Sequence, residues 1–454
     1  MTEPLADLLA RWIPQQRWYG AQGRQLTSVA VTALQDSVQD QLHGEHTRLS
    51  LTVATVSFTD GEQAYQVPLS LRTEPWDDIE HALIGHDDSG LFVYDAPHDP
   101  DAAALLLDAL HAGRRTPSLS FQRIGEINTD LRSRLIGAEQ SNTSLVYGDE
   151  LICKLFRRVA PGRNPDLELT RALQDAGCSY VAPVHGWIQT ELDGDEVTLG
   201  LLQEFVPSAT EGWALATTSV RDLYAEADLH ADEVGGDFAA EAHRLGAATA
   251  EVHAVLARTL PTARATAEDT ARTVTDMHER VEHTVAVVPE LGQHAPALHR
   301  AYDQLAATAT SNPPALQRIH GDYHLGQVLR TDTGWLLLDF EGEPARPLAQ
   351  RRSLASPLRD VAGMFRSFDY AARSLLADRA SEPGLTYRAG EWAERNRDAF
   401  CDGYAEVADR DPREDDSLLR AFELDKAVYE VGYEVHHRPT WLPIPLGSIA
   451  RLVA

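Results

Sequence analysis

The sequence predicts an α+β protein in which most strands precede most helices, and three observations lead to this prediction. Alternating or β-branched apolar runs recur up to about residue 206. Long amphipathic helical patterns dominate from about residue 207 onward. A glycine-containing turn at 331–334 then joins two short strands inside the helical part. We therefore predict a β-rich segment at 1–90, an intermediate segment at 91–206 and a helical segment at 207–454.

The charge balance limits which partners are expected. The chain has 454 residues, with 40 Lys plus Arg against 69 Asp plus Glu and a formal net charge of −29. Such an acidic surface disfavours nucleic acids and anionic membranes, because both bind basic patches. A small polyanion can still bind where one basic group and a metal ion lie together. We expect no nucleic acid or membrane partner, and a monomer or weak oligomer.

Cysteine usage and the N-terminus indicate a cytoplasmic protein. Cys153, Cys178 and Cys401 lie far apart in sequence and lack the spacing of a metal site. Thiols used this sparsely are typical of a reducing compartment. The first residues lack the pattern of a signal peptide, and the chain has no apolar run of membrane-spanning length.

The first 117 residues are expected to form a small sheet with helices at both ends. An amphipathic helix begins near Leu5, and strand-like runs follow at 28–34, 47–58 and 64–71. The sequence Thr-Asp-Gly-Glu at 59–62 predicts a hairpin turn between the last two runs. The Ala- and Leu-rich stretch at 91–117 is predicted to be helical.

The next segment combines a polar turn with an inward-facing lysine. Small polar residues at 139–144 lie between strand-like runs, and their backbone N–H groups could face a phosphate. On its own this stretch is more typical of an ordinary surface turn than of a phosphate site. Lys154 lies in the apolar run 151–156, on the same face as Ile152 and Phe156. A lysine facing inward needs an anionic partner, and Glu168 in the following helix is well placed for this role.

The chain then passes through a connector into helices. The run 197–205 predicts a strand that ends at Pro207, which is typical of a hinge whose backbone could bind an adenine edge. Helices are predicted at 238–260, 268–288, 295–308, 356–375, 390–408 and 412–437. Three prolines at 439–445 are expected to end helical structure.

The hairpin at 328–338 carries polar residues at both of its ends. Asp322 and Gln327 precede the first strand, and Asp339 follows the second, with Glu341 and Glu343 just beyond. A hairpin brings its entry and exit together, so these side chains should lie close to one another. Two carboxylates and an amide suit a divalent cation and a phosphate donor.

Several longer strings narrow this interpretation to a family. His-Gly-Asp at 320–322 and Asp-Phe-Glu at 339–341 resemble the aminoglycoside phosphotransferase and choline kinase group. The strings at 16–19, 138–144, 154–158, 164–166, 211–213, 320–329, 339–344, 356–363 and 438–445 together resemble actinobacterial maltokinases over nearly the whole chain. The chain departs from eukaryotic-type kinases in three respects. It has Gln327 in place of Asn and Glu341 in place of the Gly of Asp-Phe-Gly, and it lacks a Gly-rich loop, which 140–144 would replace.

The resemblance implies a bilobal protein-kinase-like fold with an N-terminal cap subdomain, a nucleotide-binding sheet lobe and a helical C-lobe. It also implies ATP and Mg²⁺ as cofactors and maltose, phosphorylated at its anomeric hydroxyl, as substrate. Asp322 would accept or orient the hydroxyl proton. Gln327 and Asp339 would bind Mg²⁺. Lys154, held by Glu168, would contact the phosphates. The remaining implied contacts are phosphate cover by Ser141, Asn142, Thr143 and Ser144, adenine contacts by Gln203, Glu204 and Phe205, and maltose contacts by His324, Glu430, Tyr433, Arg438 and Trp441.

Two alternatives stay open at this point. Relatives that phosphorylate glucosamine share the loop motifs, so the C-terminal helices must decide the acceptor. The chain could also be a catalytically silent module that binds trehalose synthase, because the family's pathway draws maltose from trehalose. Intact Lys154, Asp322, Gln327 and Asp339 favour an active enzyme. The maltose 1-phosphate product would feed α-glucan and glycogen synthesis.

Overall fold

A computed structural model describes residues 2–34, 42–137, 141–192, 194–226, 229–344, 346–376, 383–408 and 410–454. The chain forms two compact units. The first comprises Met1–Arg171 and Ala182–Pro207, and the second comprises Ala172–Val181 and Ser208–Ala454. The predicted boundary near residue 90 falls inside the first unit and stays a prediction. None of the described helices has both the length and the apolar character needed to cross a membrane.

The first unit contains two antiparallel sheets. Its elements, in chain order, are helix α1 (Leu5–Trp12), strands β1 (Leu26–Ala33), β2 (Leu42–His43), β3 (Arg48–Phe58), β4 (Gly61–Arg72), β5 (Leu83–His86) and β6 (Phe92–Asp95), helix α2 (Pro100–Ala112), strands β7 (Leu119–Arg123), β8 (Ser133–Ile136), β9 (Asn142–Tyr147), β10 (Leu151–Phe156) and β11 (Arg158–Val159), the start of helix α3 (Pro165–Asp175), and strands β12 (Val184–Leu192) and β13 (Asp195–Glu204). The first sheet has the order β1-β3-β4-β6-β5, with β2 beside β3 and β11 beside β4, and the second has the order β7-β12-β13-β10-β9-β8.

The predicted hairpin near residue 60 is confirmed. Phe58 pairs with Gly61, so a turn of two residues joins β3 to β4. Gly61 has φ 141°, a conformation that favours glycine. The tight turn sets the register in which Val56 and Val67 both face the core.

The prediction of one helix over 91–117 is wrong at its start. Residues Phe92–Asp95 form β6, which pairs with β4. Helix α2 begins only at Pro100, where the Asp99 carboxylate accepts hydrogen bonds from the N–H groups of Asp101 and Ala102. The helix ends before Gly113, whose φ is 58°. The β-prone triplet 92–94 lies between β4 and β5 and pairs with both, and this pairing overrides the local helical composition.

The second sheet packs against α2. Leu145, Cys153 and Leu199 from three neighbouring strands share a buried core with Leu106 and Leu107 of the helix. Alternation along β10 leaves Lys154 on the opposite face of the sheet from Cys153. The core therefore orients Lys154 away from α2.

The second unit is mainly helical. Its elements are strand β14 (Thr210–Glu211), helices α4 (Gly212–Ala225) and α5 (Ala239–Thr259), strand β15 (Ala263–Arg264), helices α6 (Ala267–Val287) and α7 (Ala295–Ser311), strands β16 (Ala315–Leu316), β17 (Val328–Arg330) and β18 (Trp335–Leu337), and helices α8 (Leu348–Arg351), α9 (Leu358–Ser374), α10 (Pro383–Ala408), α11 (Asp416–His437) and α12 (Pro443–Val453).

The predicted hairpin of the second unit is confirmed as β17 and β18. Val328 pairs with Leu337, and β14 extends the hairpin to three strands. The indole N–H of Trp335 donates to the Glu241 carbonyl at 3.2 Å, which anchors the hairpin on α5. The hairpin therefore has a fixed support below the polar residues at its mouth.

The predicted break in helical structure at the C-terminal prolines is only partly correct. A short 3₁₀ turn covers Pro439–Trp441, but α12 then begins at Pro443 and includes Pro445. Prolines are tolerated in the first turn of a helix, where their missing N–H groups have no intrahelical partner. The proline-rich segment therefore starts a helix instead of ending the fold.

Candidate active site

A buried carboxylate on α9 holds the loop that carries Asp322. Asp360 accepts hydrogen bonds from the backbone N–H groups of His320 at 2.8 Å and Gly321 at 2.9 Å. His253 contacts the same carboxylate through Nε2 at 3.0 Å. Burial alone would raise the pKa of Asp360, but the hydrogen bond and charge of His253 and the loop N–H group lower it. An ionised Asp360 therefore fixes the backbone immediately before Asp322.

His320 has a structural role, as its position in the loop suggests. Its Nε2 lies 2.7 Å from the carbonyl oxygen of Leu338, and its Nδ1 accepts from the N–H of Asp322 at 3.4 Å. Its ring also lies against Tyr323 and Phe340, with centroids 5.2 and 4.8 Å away. The imidazole thereby connects the loop to the end of β18.

A close approach of backbone supports the same loop. A Cβ atom on Gly363 of α9 would lie 2.6 Å from the carbonyl oxygen of Tyr323. A contact that short is sterically forbidden, so this position requires glycine. Helix α9 thus supports the loop in two ways. Asp360 accepts hydrogen bonds from its N–H groups, and Gly363 allows its backbone to pack directly against the helix.

The hairpin brings Gln327 and Asp339 together, as predicted. The Gln327 amide donates to Asp339 Oδ2 at 3.1 Å, and the Leu338 N–H donates to the Gln327 carbonyl at 2.9 Å. Asp339 has φ 61°, and no other non-glycine residue in the described ranges has a positive φ. Such a conformation is uncommon outside glycine and is concentrated at functional sites. Carboxylate and amide oxygens such as those of Asp339 and Gln327 are hard donors that fit Mg²⁺.

Asp322 contacts a lysine that the sequence interpretation did not include. Lys426 of α11 donates to Asp322 Oδ1 at 3.0 Å and to Glu343 Oε1 at 2.8 Å. Arg346 binds the other oxygen of Glu343. Burial alone would lower the pKa of Lys426, but the two carboxylates raise it well above its usual value. Lys426 is therefore a permanent cation beside the candidate catalytic carboxylate.

A cavity of about 530 Å³ opens beside Asp322 within the second unit. Lys426 and Tyr429 line it from α11, together with the ion pair of Arg280 and Asp425, whose Nε and Oδ1 atoms are 2.9 Å apart. This volume lies in the range of small-molecule sites. Charged groups and an aromatic ring thus surround the carboxylate that would receive an acceptor proton.

Two of the predicted maltose contacts already have protein partners. His324 Nδ1 accepts from the Gly326 N–H at 3.0 Å, and burial lowers the pKa of this imidazole, which favours the neutral acceptor form. Glu430 accepts from Arg366 Nε at 2.9 Å, and burial raises the pKa of Glu430. His324 and Glu430 do not line the cavity beside Asp322, so their role in sugar binding stays a prediction.

The other three predicted maltose contacts cluster beyond that cavity. Tyr433 stacks on His437 with centroids 4.2 Å apart, at the C-terminal end of α11. Arg438 donates two hydrogen bonds to Glu434, and its guanidinium lies 4.3 Å from the ring centroid of Trp441. The structure therefore brings Tyr433, Arg438 and Trp441 together but places them outside the cavity lining.

In the first unit, Lys154 has the anionic partner that its inward position requires. Its Nζ donates to Asp166 Oδ2 at 2.9 Å. Asp166 is 1% exposed and lies in the first turn of α3, two residues before the predicted partner Glu168. Its N–H donates to Asn164 Oδ1 at 2.8 Å, which fixes the start of the helix. Asp166 is thus an observed partner of Lys154 that the sequence interpretation overlooked.

The predicted phosphate cover is only partly a turn. Residues 138–140 lie outside the described residues, and Ser141 is exposed just before β9. Asn142 and Ser144 belong to β9 itself, where Ser144 pairs with Lys154. Paired residues project to the same face of an antiparallel sheet, so Asn142 and Ser144 share the face of Lys154.

Thr143 is directed away from Lys154. Its hydroxyl accepts from Arg157 Nε at 2.8 Å, and Arg157 also donates to the buried Asp95 at 2.7 Å. The Arg157 guanidinium lies 4.9 Å from the ring centroid of Trp18. Strand alternation places the Thr143 side chain on the opposite face from Lys154, so a contact between Thr143 and the phosphates stays a prediction and would use its backbone.

The predicted adenine contacts at 203–205 lie at the end of β13. The Glu204 N–H donates to the Pro183 carbonyl and the Phe205 N–H to the Glu150 carbonyl, each at 2.8 Å. The side-chain amide of Gln203 donates to the Ala182 carbonyl at 3.2 Å. These two N–H groups are already engaged, so contacts to adenine by this segment would use its carbonyl oxygens.

Comparisons with known proteins identify the family of this chain. The maltokinase N-terminal cap domain family matches residues 12–99, and the phosphotransferase enzyme family (APH) matches residues 131–410. A glucosamine kinase from Streptacidiphilus jiangxiensis is 31% identical over 332 residues, covering 70% of this chain and 73% of that protein. A glucosamine kinase from Mycolicibacterium smegmatis is 28% identical over 375 residues, covering 77% and 88%.

A solved structure of glucosamine kinase in complex with glucosamine, ADP and inorganic phosphate has a TM-score of 0.71 and 26% identity, with both chains fully covered. The predicted kinase-like α+β fold is therefore confirmed, as is the prediction of an enzyme that transfers phosphate to a hydroxyl acceptor. This chain belongs to the phosphotransferase enzyme family and carries a maltokinase-type N-terminal cap domain.

Proposed function

We propose that the protein is an ATP- and Mg²⁺-dependent maltokinase, which phosphorylates the anomeric hydroxyl of maltose to give maltose 1-phosphate. The observation that carries this proposal is the position of Asp322. It borders the cavity of the second unit, in the loop that leads to Gln327 and the hairpin ending at Asp339. A base for the acceptor and ligands for a metal thus come from one continuous segment.

Asp322 has one oxygen available for an acceptor. Lys426 occupies Oδ1, and no side chain of the described residues bonds to Oδ2. Oδ2 would accept the proton of the sugar O1 hydroxyl as O1 attacks the γ-phosphorus. The bond from that phosphorus to the β–γ bridging oxygen breaks, and ADP leaves with the electron pair. An anomeric hydroxyl is more acidic than an ordinary sugar alcohol, so a carboxylate held by a cation suffices as base.

Lys154 and the pair of Gln327 and Asp339 are suited to the donor nucleotide. Lys154, oriented by Asp166, supplies a positive charge for the phosphates of ATP. Gln327 and Asp339 would hold Mg²⁺, which neutralises charge that develops on the transferred phosphoryl group. The ADP in the solved complex of a related glucosamine kinase supports the assignment of ATP as donor.

The aromatic row of α11 supports a disaccharide acceptor. Lys426 lies 4.8 Å from the Tyr429 ring centroid, Tyr429 lies 6.5 Å from Tyr433, and Tyr433 stacks on His437. These residues recur every three or four positions, so they share one face of the helix. A sugar bound at Asp322 would have Tyr429 beside it in the cavity. Tyr433 and His437 lie further along the same helix face, and aromatic faces suit the C–H faces of a second glucose ring.

Glucosamine is the second candidate acceptor. The observation that favours it is the similarity to two proteins named glucosamine kinase, one of which is 31% identical. A maltose kinase and a glucosamine kinase would use the same residues for the donor nucleotide. The two proposals therefore differ only in the acceptor.

An ADP-release assay with maltose, glucosamine, glucose and trehalose separates the candidates. The proposal predicts the highest kcat/KM for maltose and a product phosphorylated at C1. Activity confined to glucosamine would refute it. The wider proposals are tested separately: mixing with trehalose synthase in size-exclusion chromatography tests that partner, and supplying the product to a maltosyltransferase tests entry into α-glucan and glycogen synthesis.

A further inference from the structure

We propose that Lys426 makes this site select neutral sugars over cationic amino sugars, in addition to positioning Asp322. This inference rests on the proposed sugar kinase activity and deepens it, because it names the residue that determines acceptor charge. Lys426 belongs to none of the phosphoryl-transfer motifs. Its only sequence signal is that Lys154 and Lys426 are the two lysines of the whole chain.

The position of Lys426 places its charge at the acceptor. Its ammonium is 3.0 Å from Oδ1 of Asp322, and the side chain lines the cavity beside that carboxylate. An acceptor hydroxyl on Oδ2 would lie about 4–6 Å from the ammonium, given ordinary hydrogen-bond lengths. At this range a second positive charge is repelled, whereas a neutral hydroxyl is unaffected.

The charges around Asp322 are balanced, and this balance depends on Lys426. Asp322 and Glu343 supply two negative charges, and Lys426 and Arg346 supply two positive charges. The neighbouring pair of Arg280 and Asp425 cancels in the same way. Removing the ammonium would therefore leave one net negative charge next to the acceptor, which attracts a cationic sugar.

The second carboxylate of this cluster, Glu343, is already engaged by internal cations. Glu343 is 7% exposed, with one oxygen on Lys426 and the other on Arg346. An amino sugar would have to displace Lys426 or Arg346 before its ammonium group reached Glu343, whereas a neutral sugar needs no such exchange.

The test compares glucose with glucosamine, which are close in size and differ by one ammonium group when the amine is protonated. Wild type, Lys426→Met, Lys426→Arg and the double variant Lys426→Met with Glu343→Gln are assayed for ADP release. Lys426→Met removes the charge at similar length, and Lys426→Arg retains it. The double variant removes one charge of each sign and restores the balance.

We expect Lys426→Met to shift the ratio of kcat/KM for glucosamine over glucose upward by about tenfold or more. Lys426→Arg and the double variant should keep a ratio close to that of wild type. A merely structural lysine would lower turnover with both sugars and leave their ratio unchanged, and that result would overturn the proposal. If Lys426→Met does not fold, the double variant still tests the proposal. A glucosamine-to-glucose ratio of kcat/KM that differs from that of wild type in the double variant would overturn the proposal.

The result also separates this inference from the proposed function. If maltose is phosphorylated but the ratio does not respond to Lys426→Met, the maltokinase proposal stands and this inference fails. If maltose is not a substrate but glucose is, and the ratio shifts as expected, this inference stands and the choice of maltose fails.

Discussion

The substitution Asp360→Asn tests whether α9 positions the catalytic loop. The Asp360 carboxylate accepts from three groups: the N–H groups of His320 at 2.8 Å and Gly321 at 2.9 Å, and His253 Nε2 at 3.0 Å. Asparagine has a similar shape but only one acceptor oxygen, so its NH₂ group must face at least one of these donors. An unsatisfied buried N–H group costs about 1–3 kcal/mol, and losing the charge at the remaining bonds adds about 1 kcal/mol. We therefore expect a loss of about 2–4 kcal/mol in the free energy of unfolding.

The same substitution should also reduce catalysis, because the loop leads directly to Asp322. A displacement of about 1 Å at a reacting group can lower turnover by about 10²-fold. Urea unfolding followed by tryptophan fluorescence measures the first effect, and ADP release under conditions where the variant stays folded measures the second. Both effects are expected together if Asp360 supports the loop.

Glu423→Gln is the matched control. Glu423 is also buried, at 2% exposure, and accepts two 2.8 Å hydrogen bonds from Arg397. It makes no hydrogen bond or ion pair with 319–327 among the described residues, so its loss should lower stability but leave kcat within about threefold. A folded Asp360→Asn variant with a kcat equal to that of wild type would refute the positioning argument.

Three further predictions concern Asp322, Lys154 and Glu343. Asp322→Asn should lower kcat by about 10³-fold or more while ATP binding measured by calorimetry stays unchanged, because the base is lost and the donor site is not. Lys154→Met should raise KM for ATP and lower kcat, since the positive charge that Lys154 would place beside the phosphates is lost; an unaltered response to ATP would exclude Lys154 from the donor site. Burial alone would raise the pKa of Glu343, but Lys426 and Arg346 lower it from 4.5 to about 2. A carboxylate with a lowered pKa stabilises the fold above its unfolded pKa, so Glu343 should contribute about 3 kcal/mol at pH 7, lost as the pH falls from about 5 towards 2. The difference in urea stability between wild type and Glu343→Gln should accordingly narrow between pH 6 and pH 3, and a constant difference would contradict this assignment.

The sequence predicted local structure well where a short-range signal was strong. The turn at 331–334 contains the residues that a hairpin requires, so the contact between Gln327 and Asp339 could be predicted from the sequence alone. The hairpin near Gly61 was predictable for the same reason. By contrast, the β-strand Phe92–Asp95 forms because β4 offers a free edge, and the composition of 91–117 carries no information about that edge.

Three site residues could not be assigned a role from the sequence, for a different reason. Asp360, Asp166 and Lys426 all act through partners far away in sequence or on another element. Asp360 and Asp166 lie in the strings at 356–363 and 164–166, but those strings do not show which groups the two carboxylates bind. Lys426 lies 104 positions from Asp322, and only the packing of α11 in the second unit brings the two together. Periodicity places a residue on a helix face but does not identify what that face contacts.

The most direct test of the central claim compares maltose with maltitol as acceptors in the ADP-release assay. Maltitol retains the non-reducing glucose ring but has an open-chain alcohol in place of the ring with the anomeric hydroxyl. If Asp322 serves an anomeric hydroxyl, wild-type enzyme should turn over maltose and form a C1 phosphate visible by ³¹P NMR, with no turnover of maltitol. Equal turnover of maltitol, or none of maltose, would contradict the account.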